Sequence, residues 1–273
     1  MSSKNDAIAR YYARLGAYTR LAGLFGWGGG AGDLAVRRAL RGPDGKISPR
    51  TTEALVADAA GTLDAPRILD AGCGLGGLGL ALQEKFGGRL HGITLSPDQA
   101  ERATLAAWKM GRSARFTVAS YDDPLPEAPY DLIVAVESLA HSPDLKRSIA
   151  NLARGLDGGG KLIVVDDIRV CDPDDPDARD FVEGWQTPSF HSEAEWRAAF
   201  DAAAMRVDLF QDLSPLMVHR DPVARRTLEI LNAATSFLIP PLRPLLASHR
   251  GGLALERLHA RGGARYALFA ASV

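Results

Sequence analysis

The chain has 273 residues and a mass of 29.1 kDa, room for one large domain or two small ones. With 46% hydrophobic and 24% charged residues it has a globular composition, which excludes a disordered tail or a disulfide scaffold. Its 32 basic and 33 acidic residues give a net charge of −1 with no long basic run, so no nucleic-acid partner is expected.

Cys73 and Cys171 have no zinc-site spacing, and no metal is expected from them. No run approaches the ~18 apolar residues of a membrane span. The first residues lack the apolar core of a signal peptide, so the expectation is a cytoplasmic, soluble protein without a membrane span.

Ile8, Tyr11, Tyr12, Leu15, Tyr18, Ala22 and Phe25 recur at helical spacing, so residues 6–25 read as an amphipathic helix. The glycine run at 26–32 ends it. A second helix is expected at 33–41 and a third at 49–61, opened by Ser48 and Pro49. From Arg67 the pattern changes. Strands read at 67–72, 89–95, 114–120 and 130–138, with helices at 77–86 and from Pro97 to Met110 between them. A helix at 142–156, a turn at Gly158–Gly160 and an apolar strand at 161–168 follow. A helix at 192–204 and strands at 206–212 and 265–273 complete the pattern. Strands alternating with helices of about 10–15 residues indicate an α/β fold with a parallel, doubly wound sheet. The stretch before the last strand reads as a helical insertion broken by Pro240, Pro241 and Pro244, and insertions of that size are more often functional caps than loops.

Asp70-Ala-Gly72-Cys73-Gly74-Leu-Gly76-Gly77 lies between a strand and a helix, and Gly72, Gly74 and Gly77 satisfy G-x-G-x-x-G. Glycines are needed where backbone turns tightly and approaches a ligand. Both dinucleotide and S-adenosylmethionine binders use such a loop. A nicotinamide enzyme usually carries an acid about 20 residues on, at the tip of the second strand. Here that tip reads Gly92-Ile-Thr94-Leu95-Ser96-Pro-Asp98-Gln99, with no acid at the strand end.

The run I-L-D-A-G-C-G-L-G, with Asp70 two residues before the first glycine, resembles the class I S-adenosylmethionine-dependent methyltransferases over residues 67–170. G-I-T-L-S-x-x-Q resembles a narrower group, the tocopherol, sterol and geranyl diphosphate methyltransferases and the cyclopropane fatty acid synthases. Tyr130-Asp-Leu-Ile-Val-Ala-Val-Glu137-Ser138 is similar to the same group's fourth-strand motif. The resemblance implies a Rossmann-like, doubly wound seven-stranded sheet with an N-terminal helical lid and a helical insertion before the last strand. It implies one integrated unit: a lid at 1–62, a cofactor-binding core at 63–213, and an acceptor cap with the closing strand at 214–273. S-adenosylmethionine is the implied donor. Its expected contacts are Asp70, Gly72, Cys73, Gly74, Thr94, Leu95, Gln99, Ser120, Tyr121 and Glu137. In that assignment Thr94 and Gln99 replace the usual ribose carboxylate and Leu95 lies against the adenine. Many relatives have an Asp for the adenine amino group where Ser120 stands, so the resemblance does not carry that contact over to this chain, and the Tyr121 backbone N–H remains for the ring.

An alkene acceptor attacks the methyl with its π electrons, leaving a carbocation that a carboxylate or an aromatic face can stabilise. Glu137, at a strand tip, is the candidate, against helix capping or an Arg pair. His141 is a candidate base or acceptor ligand, against a cap or solvated residue. Tyr12, with Tyr11 and Tyr18, would close over the cofactor as in relatives, although a Tyr stripe is more often core. Two arginine clusters, Arg37-Arg38 with Arg41 and His219-Arg220 with Arg225-Arg226, would suit a diphosphate, against a solvated surface. The Asp172–Asp177 run could then hold Mg2+, but a solvated loop is the plainer reading. Trp27, Trp185 and Trp196 line the acceptor pocket or fill core.

The expected activity is carbon methylation of a small lipophilic isoprenoid, such as a prenyl diphosphate. The alternatives are O- or N-methylation of a phenolic or other secondary metabolite, and a non-catalytic binding protein. Cyclopropanation fits less well, because Ala140 stands where those synthases carry a Glu. Lipophilic acceptors and lids often accompany a homodimer, which the sequence allows.

Overall fold

The computed structural model describes residues 38–238 and 243–273. The expected first helix, with Tyr11, Tyr12 and Tyr18, lies outside the described residues, as do Trp27, Arg37, Pro240 and Pro241. The helix expected at 33–41 is corrected at its described end. Leu40–Arg41 (β1) is extended and pairs antiparallel with Ile47–Ser48 (β2). The cause is the intervening Gly42-Pro43-Asp44-Gly45 turn. There the Gly42 N–H donates to the Lys46 carbonyl at 2.7 Å, and Gly45 takes φ 77° without strain.

Helix α1 (Arg50–Ala60) leads into the main sheet. Its strands are β3 (Arg67–Ala71), β4 (Arg89–Thr94), β5 (Ala114–Val118), β6 (Tyr130–Val136), β7 (Leu156–Arg169), β8 (Arg206–Asp212) and β9 (Ala264–Ser272). They lie in the order β5-β4-β3-β6-β7-β9-β8. Neighbours from β5 to β7 are parallel, and β9 runs antiparallel to both β7 and β8. The chain reverses direction across the sheet between β3 and β6, which opens a crevice at their C-terminal ends.

Helices α2 (Gly77–Phe86), α3 (Pro97–Lys109), α4 (Leu145–Arg154) and α6 (Glu193–Ala202) flank this sheet. Val56, Leu78, Leu82, Ala103 and Ala107 of α1, α2 and α3 share one apolar core with Ile68, Leu132 and Ile163. On the other face Leu145, Ile149, Leu152, Trp196 and Phe200 of α4 and α6 pack with Leu69, Ile133 and Phe269. Trp196 is core: it is 1% exposed and stacks on Phe269 with centroids 5.8 Å apart. Local chemistry sets the helix starts. Ser96 caps α3 ahead of Pro97, Asp144 caps α4, and Ser192 with Glu195 forms a capping box on α6.

Two elements differ from expectation. The glycines at 158–160 do not end a helix but sit inside β7, where residues 157–160 bulge opposite Asp131 and pairing resumes at Lys161. The acidic run precedes a helix that was not expected, α5 (Pro176–Trp185), with Asp175 as N-cap and Pro176 in the first turn. The insertion is two helices, α7 (Pro222–Leu238) and α8 (Arg243–Ala260), and α8 packs against α5 through Phe181, Ala254, Leu255 and Leu258. No helix among the described residues is long and apolar enough to cross a membrane.

Candidate active site

The crevice at the ends of β3, β4 and β6 is a cleft of about 920 Å³ including its open mouth. It is lined by Asp70, Gly72–Leu75, Leu78, Ile93–Leu95, Gln99, Ala119, Tyr121, Val136–Ser138 and His141. Every expected cofactor residue except Ser120 is on this wall. Ser120 is buried and its hydroxyl accepts from the Asp122 N–H at 3.1 Å.

The glycine loop is built by its dihedrals. Gly72, Gly74 and Gly76 all have positive φ, at 86°, 53° and 82°. A Cβ on Gly72 would lie 2.5 Å from the Ser138 Cβ, and one on Gly76 would lie 2.8 Å from the Phe116 ring. A Cβ on Gly74 would meet nothing within 4 Å, so this glycine leaves backbone open to the cleft. The third tight glycine is therefore Gly76, while Gly77 begins α2. The Gly72 and Cys73 N–H groups both donate to the Ile93 carbonyl at 2.9 Å, tying the loop to β4. Asp70 is buried and its Oδ2 accepts from the Gly79 N–H at 3.0 Å, so it also anchors the loop on the first turn of α2. Burial, aided by the charge of Asp70, pushes the Cys73 thiol well above its ordinary pKa, so it stays a thiol.

At the β4 tip the Thr94 hydroxyl donates to Gln99 Oε1 at 2.7 Å and accepts from the Ser96 N–H at 3.2 Å. Thr94 thus fixes Gln99, whose amide NH2 is the donor turned to other partners. The tip is a donor in a place where a carboxylate would be an acceptor.

Glu137 follows β6 with φ 51°, the left-handed region that a non-glycine residue rarely takes. Its N–H donates to the Val165 carbonyl at 2.8 Å. Its Oε1 accepts from the Arg38 backbone N–H at 3.1 Å and from the Tyr266 hydroxyl at 2.8 Å. The Arg38 guanidinium goes instead to Asp167, in two bonds of 2.8 and 3.1 Å. His259 of α8 holds the same Asp167 through Nε2 at 2.7 Å. Burial favours a neutral Asp167, but Arg38 and His259 outweigh it and hold this carboxyl well below its usual range. Its neighbour Asp166 is pushed up to about 7 by burial and by the charges of Asp167 and Glu137. His141 ends a short 3-10 turn (Leu139–His141), and burial lowers it to about 4, so its ring is neutral at pH 7. Sequence reasoning missed Tyr266, Asp166, Asp167 and His259. The D-D pair at the end of an apolar strand was the available signal, whereas Tyr266 reads as ordinary core.

Three arginines of the two clusters are bonded to intrachain carboxylates, while the Arg41 guanidinium donates to the Gly45 carbonyl at 3.2 Å. Arg220 pairs with Glu256, Arg226 bonds Glu229 at 3.1 Å, and the Arg38 guanidinium bonds Asp167. Asp175 and Asp177 likewise bond Arg261 and Arg257. Among the described residues no group of three metal-ligating side chains is found. Trp185 packs on α8, where its Nε1–H donates to the Ser248 carbonyl at 3.1 Å.

Residues 69–164 match the methyltransferase domain family. Tocopherol O-methyltransferase of Arabidopsis thaliana is 40% identical over 102 residues, which cover 36% of this chain and 29% of that protein. A sterol 4-C-methyltransferase of Caenorhabditis elegans is 33% identical over 152 residues, 51% of this chain and 44% of that one. The chain thus spans less than half the length of these curated relatives. Geranyl diphosphate C-methyltransferase from Streptomyces coelicolor A3(2), solved with Mg2+, geranyl diphosphate and S-adenosyl-L-homocysteine, superposes with a TM-score of 0.74. That likeness covers 100% of this chain and 98% of that one at 19% identity, a likeness of fold.

Proposed function

We infer, for a chain that belongs to the class I S-adenosylmethionine-dependent methyltransferases, that its acceptor is an alkene carbon of an isoprenoid. S-adenosylmethionine, when bound, supplies an electrophilic methyl group on a sulfonium sulfur. Open backbone at Gly74, apolar Leu95 and Ile93 and the Gln99 amide on the cleft wall support such a ligand, whose adenosine is uncharged and carries no phosphate. In this reading Gly72–Gly74 cradle the amino-acid end, Gln99 donates to the ribose, and Leu95 with the Ala119–Tyr121 segment holds the adenine.

The observation that carries the acceptor assignment is Glu137. Glu137 lines the cleft at the sheet's switch point and its carboxylate accepts from an amide and a phenol, while the nearby Arg38 guanidinium, which feels its charge, is hydrogen-bonded to Asp167 instead. The anionic oxygens of Glu137, with Asp167 behind them, favour positive charge on a reacting carbon. The same carboxylate can take the proton that the methylated cation must lose. Three of the arginines expected to bind a diphosphate, Arg38, Arg220 and Arg226, already have carboxylate partners, which weakens the case for that head group. Magnesium enters this account only with a diphosphate acceptor.

A second reading, O- or N-methylation, is favoured by one observation: neutral His141 lies on the same wall and could take a proton from a hydroxyl or ammonium acceptor. Glu137→Gln separates the two. Carbon methylation requires turnover to fall at least about 100-fold while S-adenosyl-L-homocysteine affinity by calorimetry stays within twofold. Unchanged turnover removes Glu137 from the chemistry, and loss only in His141→Gln selects the heteroatom reading.

A further inference from the structure

Resting on that role for Glu137, we propose that Tyr266 is a positioning residue that aims the Glu137 carboxylate into the cleft, and that the chain Arg38–Asp167–His259 holds Tyr266 and the Arg38 amide in place. The three parts of the arrangement come from distant segments. Arg38 precedes β1, Tyr266 belongs to β9, and Glu137 is 99 and 129 residues away from them. Such contacts exist only in the folded molecule. Among the described residues, both bonds to the carboxylate fall on Oε1, so the pair of donors fixes one oxygen and leaves Oε2 to face other partners.

A glutamate side chain loses rotamer freedom when it is fixed. Here the fixing is done before any acceptor arrives. Tyr266 is itself immobile: its ring is fully buried, with the Arg38 guanidinium carbon 4.6 Å from the ring centroid. Arg38 is in turn gripped by both oxygens of Asp167, and Asp167 by the Nε2–H of His259. A carboxylate is acceptor-only, so this bond sets the proton on Nε2. His259 belongs to α8, and its ring lies 6.5 Å from that of His219 in the segment before α7. The position of the helical insertion is therefore transmitted through Asp167 and Arg38 to the residue that faces the acceptor. The ionisable groups around Glu137 are Arg38, Tyr266, Asp166 and Asp167, with His141, Asp70 and Cys73 on the cleft wall. Burial and the charge of Glu137 raise the Tyr266 phenol well above its ordinary value, so it remains a donor throughout the working pH range.

The test uses the full-length protein labelled with 13C at the glutamate side-chain carboxyl, the Glu137 signal being identified by its loss in Glu137→Gln. In Tyr266→Phe the Glu137 carboxyl signal at neutral pH should move from its wild-type position, because the phenol no longer donates to Oε1. Turnover should fall about tenfold with the KM for S-adenosylmethionine within twofold. His259→Gln, which keeps an N–H donor to Asp167, should retain more than half of the activity, and His259→Leu should behave like Tyr266→Phe. An unmoved Glu137 carboxyl signal with unchanged turnover in folded Tyr266→Phe overturns the proposal. Should that variant not fold, the same comparison is made between His259→Gln and His259→Leu, and equal signals and rates overturn it. If Glu137→Gln keeps full turnover, the functional reading fails, while the carboxyl signal still decides whether Tyr266 positions the carboxylate.

Discussion

Gly72 and Gly74 share a motif but answer to different constraints. At Gly72 both φ and packing exclude a side chain, since a Cβ would lie 2.5 Å from that of Ser138. Gly72→Ala should therefore destabilise the fold by about 3 kcal/mol, combining left-handed strain with overpacking, measurable by urea denaturation. At Gly74 the φ of 53° is the only cost to the fold, but the added methyl would project into the cleft. Gly74→Ala should lose only about 1 kcal/mol of stability while weakening S-adenosyl-L-homocysteine at least tenfold by calorimetry. Equal affinity in that variant would show that the ligand does not approach the loop there. Most of this half of the site was legible, because strand, glycines and helix are consecutive in the chain. Glu137 was legible as a strand-tip acid. Its partners Arg38 and Tyr266 were not, nor was His259 behind them on Asp167, because these residues meet only through tertiary contacts and carry no local pattern.

Elements with caps or strict periodicity matched expectation closely. Helix α2 begins and ends where the glycines put it, and β8 covers residues 206–212 as read. The failures are physical too. The Asp-Pro-rich run looked like a solvated loop, yet Asp175-Pro176 is a helix start, and Asp177 is matched by Arg257 from a helix 80 residues away. That pairing cannot be read from either segment alone. Helices α5 and α8 approach so closely that a Cβ on Gly184 would lie 2.4 Å from the Ala247 carbonyl oxygen and 2.7 Å from the Gly251 Cα. Gly184→Ala should push the helices apart at a cost of about 1–3 kcal/mol, lowering the melting temperature by roughly 5 °C. A melting temperature equal to wild type would mean that the helices are not locked at this crossing.

The molecule as a whole joins a glycine-loop side of the cleft built from neighbouring motifs to a Glu137 side assembled from chain segments far apart. Its buried ionisable groups make stability depend on pH with opposed signs. Unfolded His141 takes a proton near 6.5, while burial delays this to about 4 in the fold. Between those values the unfolded state binds more protons, so His141 withdraws stability as pH falls from 6.5 to 4, by roughly 3 kcal/mol in total. Asp166, raised from 3.8 to about 7, acts the other way, withdrawing stability as pH rises through that window. The clean reading is therefore a difference. The stability of His141→Phe relative to wild type should grow steadily from pH 6.5 to pH 4 in denaturant titrations, and a constant difference would mean that the native ring titrates normally.

Product analysis by mass spectrometry, after incubation with methyl-labelled S-adenosylmethionine, distinguishes methyl transfer to carbon from transfer to oxygen or nitrogen. The acceptor panel contains prenyl diphosphates of five, ten and fifteen carbons, their uncharged alcohols, a sterol with an unsaturated side chain, and several phenols. The label should appear in the carbon skeleton of an alkene acceptor and be lost in Glu137→Gln. Label confined to the oxygen of a phenol, with Glu137→Gln as active as wild type, would contradict methyl transfer to carbon.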